Sequence, residues 1–161
     1  MTKYIVSFFL FFSVTLFSQT KIAILPFSNL DGNGDYNKYC YELQDSLTKA
    51  FQEVDAEKKF IDVLSSEEVD NAMSDMNLDA NSPNFDGDKW KVLEILKCDR
   101  VISGSFKVVG ERFIINAYIY YPETRISDQT YQAKDIFKKE EKLLESVSVI
   151  VKRLSKAFIS E

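Results

Sequence analysis

What most constrains the fold of this chain is the order in which its hydrophobic period changes. Lys21-Ile-Ala-Ile-Leu-Pro-Phe27 is a short apolar run with β-branched residues, stopped by Pro26 and Ser28-Asn29, and it reads as a mostly buried strand. After the loop Leu30-Asp-Gly-Asn-Gly-Asp35 the period lengthens. Tyr36, Tyr39, Cys40, Leu43, Leu47, Ala50 and Phe51 recur at three and four, which predicts a helix to Val54 with Asp35 as its N-cap. Phe60-Ile-Asp-Val-Leu64 is a second strand. Ser65-Ser-Glu-Glu68 matches a capping box and opens a short helix toward Met76. Asn77 to Gly87 is a polar connection, and Asp86 or Asp88 caps a third helix through Trp90, Val92, Leu93 and Leu96. Strands follow over Val101–Val109 and Phe113–Tyr121, joined by Gly110-Glu-Arg112, and a third over Arg125–Ala133 after the turn Pro122-Glu-Thr124. Alternation puts Phe113, Ile115, Ala117, Ile119 and Tyr121 on one face, with Asn116 and Tyr118 on the other. Phe137 to Ile159 then repeats Leu143, Leu144, Val147, Ile150, Val151, Leu154 and Phe158, a long amphipathic helix. The order β-α-β-α-α-β-β-β-α predicts an α+β fold, an αβ sandwich in which helices pack on a mixed sheet of about five strands.

Upstream of the first strand, Lys3 and the apolar stretch Ile5–Phe17 followed by Ser18 have the make-up of a secretory signal peptide. The stretch is shorter than the roughly 20 apolar residues that cross a bilayer. Residues 1–18 are therefore expected to be cleaved, leaving 19–161 as one exported, periplasmic domain with no transmembrane span in the mature chain. No Cys follows the leader to carry a lipid. Export would let Cys40 and Cys98 form a disulfide, but both lie in apolar helical surroundings where a thiol also packs as a small hydrophobe.

The formal charge of −5, with 25 acids against 20 bases, argues against nucleic acid, which needs clustered Lys and Arg to neutralise phosphate. An acidic lipid surface is disfavoured on the same ground. The chain has no His, which removes Ser-His-Asp and Cys-His nucleophiles and every His-assisted zinc site. Two isolated Cys make neither a thiolate cage nor a CxxC redox pair. Paired carboxylates remain as a chemistry suited to a peptidoglycan hydrolase, but Asp86/Asp88 and Glu67/Glu68 are explained as helix-start residues. No cofactor and no catalytic residue is expected.

In the first loop, Asp31 and Asp35 flank the turn and would repel a phosphate. Asp31, Asn33 and Asp35 at alternate positions with Glu42 twelfth resemble a calcium loop, but Tyr36 stands where that loop needs Gly. An Asn/Gly turn accounts for the same residues. The loop residues Asn29, Asp31, Asn33 and Asp35 are the first candidate partner-binding group. Tyr118, Tyr120 and Tyr131 are the second, either as an aromatic surface that a partner covers or as core beneath a helix.

Three segments resemble one family. Lys21-Ile-Ala-Ile-Leu-Pro-Phe-Ser-Asn-Leu-Asp-Gly32 is similar to the opening of TolB amino-terminal-like domains and their FlgO-type and CsgG-type relatives. Leu93-Glu-Ile-Leu-Lys-Cys-Asp-Arg-Val-Ile-Ser-Gly-Ser-Phe106 resembles their helix end, small residue, Asp and apolar strand with Gly-Ser, and Gly110 to Thr124 resembles their hairpin. The resemblance implies a non-catalytic module of the bacterial envelope that binds a protein partner, with self-association also open, in assembly, secretion or cell-wall machinery. No propeller follows the matching region, so the TolB bridging role is not part of the expectation. The alternatives are the two-acid hydrolase and a small-ligand or calcium sensor. Gly104 is expected to admit another element close to its strand, and Gly110 to serve its turn.

Overall fold

The computed structural model describes residues 19–159, and the expected leader lies outside them. Strand β1 (Thr20–Ile24) is the first apolar run, and Ile22, Ala23 and Ile24 are closed off from solvent on both faces, as a strand between helical layers requires. It pairs in parallel with β3 (Ile61–Val63) and with β4 (Arg100–Val109). From β4 the sheet turns antiparallel through β5 (Arg112–Tyr121) to β6 (Ile126–Lys138), in the order β3-β1-β4-β5-β6.

A two-residue strand, β2 (Ser28–Asn29), pairs with β4 beyond the end of β1 and makes the sheet six-stranded where the sequence predicts about five. Pro26 explains the break. It has no N–H for the ladder, so the chain leaves β4 and returns one residue out of step, Ile24 facing Ile102 and Ser28 facing Ser105. The detour turns the buried ring of Phe27 onto Gly104, where a Cβ would stand 2.2 Å from its Cε1.

Helix α1 (Lys38–Val54) lies on the sheet face of Phe113, which the Tyr39 ring meets edge-on with 5.6 Å between centroids. Helix α4 (Ser146–Leu154) packs beside it on the same face. Helices α2 (Ser66–Asp75) and α3 (Phe85–Leu96) fill the crossover from β3 to β4 on the opposite face, where Lys89 of α3 meets Ser103. The described part is thus the α+β arrangement that the sequence predicts, four helices on an open mixed sheet. Beyond Tyr120 no helix of the described residues lies over the α3 side of the hairpin strands, with Ile114, Tyr118 and Phe137, and Phe137 is 54% exposed.

Several boundaries differ from expectation. Asp35 does not cap α1. Asn33 caps a single 3-10 turn, Gly34–Tyr36, its Oδ1 accepting the Asp35 N–H at 3.1 Å, and α1 begins at Lys38; Asn caps as well as Asp and reaches the first free N–H earlier. Asp86 and Asp88 sit inside the first turn of α3, whose cap position is Asn84, because the helix starts early enough to bury Phe85. The Ser65–Glu68 capping box forms as predicted. The largest correction is at the end of the chain. Strand β6 runs on to Lys138, with Ile136 and Phe137 opposite Ile115 and Ile114, and a 3-10 stretch, Glu140–Glu145, precedes an α4 of only nine residues. Two adjacent apolar residues at 136 and 137 satisfy strand and helix periods alike, and pairing with β5 decides between them.

Candidate functional site

At the carboxyl end of β1, the loop after β2 and the segment leading into α3 enclose a crevice of about 420 Å³ bordered by Ser28, Asn29, Asp31, Asn37, Asn81 and Asp86. Parallel strands expose unpaired groups at that end, and α/β folds commonly place ligands there. The loop, however, spends its own side chains on itself. Asn29 Nδ2 donates to the Asn33 carbonyl (2.8 Å) and to Asn37 Oδ1 (2.9 Å), and Asn29 Oδ1 accepts the Asp31 N–H at 3.1 Å. The Asp31 carboxylate accepts the Val108 N–H of β4. Gly32 supplies the left-handed step, φ +68°, that lets the loop fold back. Asp35 is exposed, and none of the hydrogen bonds among the described residues uses its carboxylate. Asp31, Asn33 and Asp35 therefore do not converge, and among the described residues no group of three or more Asp, Glu or Cys is placed to hold a metal ion.

The crevice continues under α3 into a cluster the sequence reading missed. Lys89 is buried at 8% exposure, its Nζ donating to Asp86 Oδ1 (2.8 Å) and Ser103 Oγ (3.2 Å), while Ser28 Oγ reaches the same Asp86 oxygen at 3.4 Å. Burying an ammonium requires such partners. The rings of Trp90, Tyr120 and Phe85 surround it, with centroids 5.5, 5.9 and 6.0 Å from Nζ. A signal was present: Lys89 stands four residues after Phe85 and three before Val92, on the buried stripe of its helix. Tyr120 meets Trp90 edge-on at 5.6 Å and Tyr118 at 6.1 Å. Burial, then the neighbouring Tyr118 and the Asp86 charge, push the Tyr120 phenol above its ordinary pKa. Tyr118 is half-exposed beyond it, with Lys134 Nζ 5.6 Å from its ring centre.

The structure thus brings together Asn29, Asp31, Tyr120 and Tyr118 along one side of the molecule and separates Tyr131 from them. Gln132, not Tyr131, lies opposite Tyr118, and Tyr131 turns to the other face, where it borders a groove with Val149, Lys152 and Arg153 of α4. A three-residue irregularity in β6, between Ser127 and Gln132, changes the alternation on which a single aromatic patch would depend.

Three of the four acids in the two pairs make structural contacts, and Glu67 is exposed in the first turn of α2. Asp86 holds Lys89, Asp88 holds Lys91 at 2.6 Å, and Glu68 closes the capping box. Cys40 and Cys98 are free and buried; burial raises the Cys40 thiol to about 11 and shifts Cys98 the same way, so both are protonated, unreactive thiols at neutral pH.

Among solved structures the chain is similar to lipoprotein GNA1162 from Neisseria meningitidis, with a TM-score of 0.55 at 14% identity over 85% of this chain and 99% of that one. It is also similar to E. coli LpoB, with a TM-score of 0.54 at 11% identity, over 76% of this chain and 59% of that one. A weaker likeness to TolB from Acinetobacter baumannii has a TM-score of 0.46 at 14% identity, over 87% of this chain and 28% of that one. No family model matches the sequence, and no curated protein does. At these identities the likeness is one of fold.

Proposed function

We propose that this chain is an exported, non-catalytic domain of the bacterial envelope that works by binding another protein. The observation that carries the reading is the sheet face beside the loop crevice: Tyr118, Ile114 and Phe137 stand on the sheet with no helix of the described residues over them, and aromatic side chains on a sheet surface are what protein interfaces favour. Asn29 and Asp31, which border the crevice, are proposed as its polar rim, with Tyr120 packed edge-on beside Tyr118; Asn33 and Asp35 do not border it. One further observation agrees: the fold is that of a lipoprotein, GNA1162, along nearly its whole length. The role in assembly, secretion or cell-wall machinery belongs to this proposal, as do the cleavage of residues 1–18, the single-domain extent of 19–161, the kinship with FlgO-type and CsgG-type domains and the absence of a cofactor.

Crosslinking in native envelopes followed by mass spectrometry tests it, the expected outcome being a reproducible protein partner. A peptidoglycan digestion assay with the full chain, Asp86→Asn and Asp88→Asn tests the hydrolase alternative. Release of muropeptides that either substitution abolishes would overturn the proposal.

A further inference from the structure

The groove that receives Tyr131 has a character of its own. It lies between β6 and α4, encloses about 710 Å³, and is bordered by Tyr131 and Val149 with Lys152, Arg153 and Lys156. In a chain of net charge −5 its lining carries three cations and no carboxylate. All three are exposed, and none belongs to any of the seven ion pairs among the described residues. Glu53 borders the neighbouring hollow that Lys152 shares but makes no ion pair with it. Lys152 and Lys156 stand four apart at the end of a helix, where like charges repel. The helix dipole favours cations at that end, but it does not account for their convergence with an aromatic ring from β6.

Resting on the reading of this chain as a protein-binding domain, we propose that the β6–α4 groove is a docking surface for an acidic segment of the partner, whose carboxylates meet Lys152, Arg153 and Lys156 while an apolar residue packs on Tyr131 and Val149. The argument for this occupant is charge complementarity. Strand addition at the β6 edge is disfavoured, because Asp128 already accepts the Thr130 and Tyr131 N–H groups and Arg153 already donates to the Lys134 carbonyl. Recognition is therefore by side chains, and in a chain of net charge −5 three converging cations suit a short acidic stretch better than a membrane.

The test uses the full-chain protein, a fluorescent peptide of alternating Glu and Leu, a matched peptide of Lys and Leu, and phosphatidylglycerol vesicles. The acidic peptide alone is expected to bind, more weakly as salt rises. Lys152→Glu with Lys156→Glu should weaken it by about tenfold or more, from the summed loss and reversal of surface charge pairs. Lys152→Gln with Lys156→Gln, which spares the Arg153 contact, should weaken it by a smaller factor with an unchanged melting temperature. Equal binding by all variants, no binding by the unaltered protein, or vesicle binding with the same dependence on Lys152 and Lys156 would overturn the proposal. Peptide binding left unchanged by Lys152→Glu with Lys156→Glu sinks the groove alone, since the Tyr118 face still holds a partner, whereas no envelope crosslink in the unaltered protein sinks the reading beneath it.

Discussion

Phe27 and Gly104 illustrate how single residues set this fold. The glycine's need for a close neighbour was legible in the sequence, but the neighbour was not, since only the register after Pro26 brings the Phe27 ring over it. Gly104→Ala should destabilise the protein by about 2 kcal/mol, the range of an overpacked core, with part of the loss recovered when Phe27→Leu removes the ring; denaturant midpoints measure both. The carboxyls titrate with opposite effects. Hydrogen bonds from the Ser65 N–H and hydroxyl hold Glu68 below its usual 4.5, so its contribution is complete above that pH and fades as pH falls through the lowered native value. Burial raises Asp70 above 3.8 despite its bond from Gln44, with Asp45 adding to the rise, so acidification through its native value adds stability. Asp70→Asn is expected to keep the Gln44 bond and steepen the loss of stability measured between neutral pH and pH 4, because the opposing contribution is gone; a shallower profile would contradict this assignment.

At the scale of elements, period located the strands and helices, and what moved were their ends: the caps expected at Asp35 and at Asp86 or Asp88 fall at Asn33 and Asn84, whereas the Ser65–Glu68 box forms where expected. The Ser65–Glu68 box satisfies two backbone N–H groups and fixes the start of α2, and Ser65→Ala should lower stability by about 1 kcal/mol in thermal unfolding. The final helix was overextended because Ile136-Phe137 fits either period, and only the partner strand β5 breaks the tie. Tyr131 was misplaced for a related reason. Alternation predicts facing only while a strand stays regular, and the irregularity before Gln132 has no composition signal of its own. Lys89 was missed although its helical spacing puts it on the buried stripe, and its meaning depends on Ser103, fourteen residues away on another element.

At the scale of the molecule, the order of hydrophobic periods was enough for the layered α+β architecture, because each amphipathic element must bury one face and few arrangements bury all of them. What it could not supply was coverage. Whether a helix lies over Tyr118 depends on where α3 ends and which strands it spans, and among the described residues none covers that side of the hairpin. Both cysteines sit inside the core, so folded protein should react with an aromatic disulfide reagent far more slowly than the same chain in denaturant, with two thiols counted after unfolding. The central claim is that this face of the hairpin binds a protein. A photo-crosslinking residue placed at Tyr118, compared with one at the outward Lys49, tests it in intact envelopes: one dominant protein adduct from position 118 and none from 49 is the predicted result, and equal or absent adducts from both positions would contradict it.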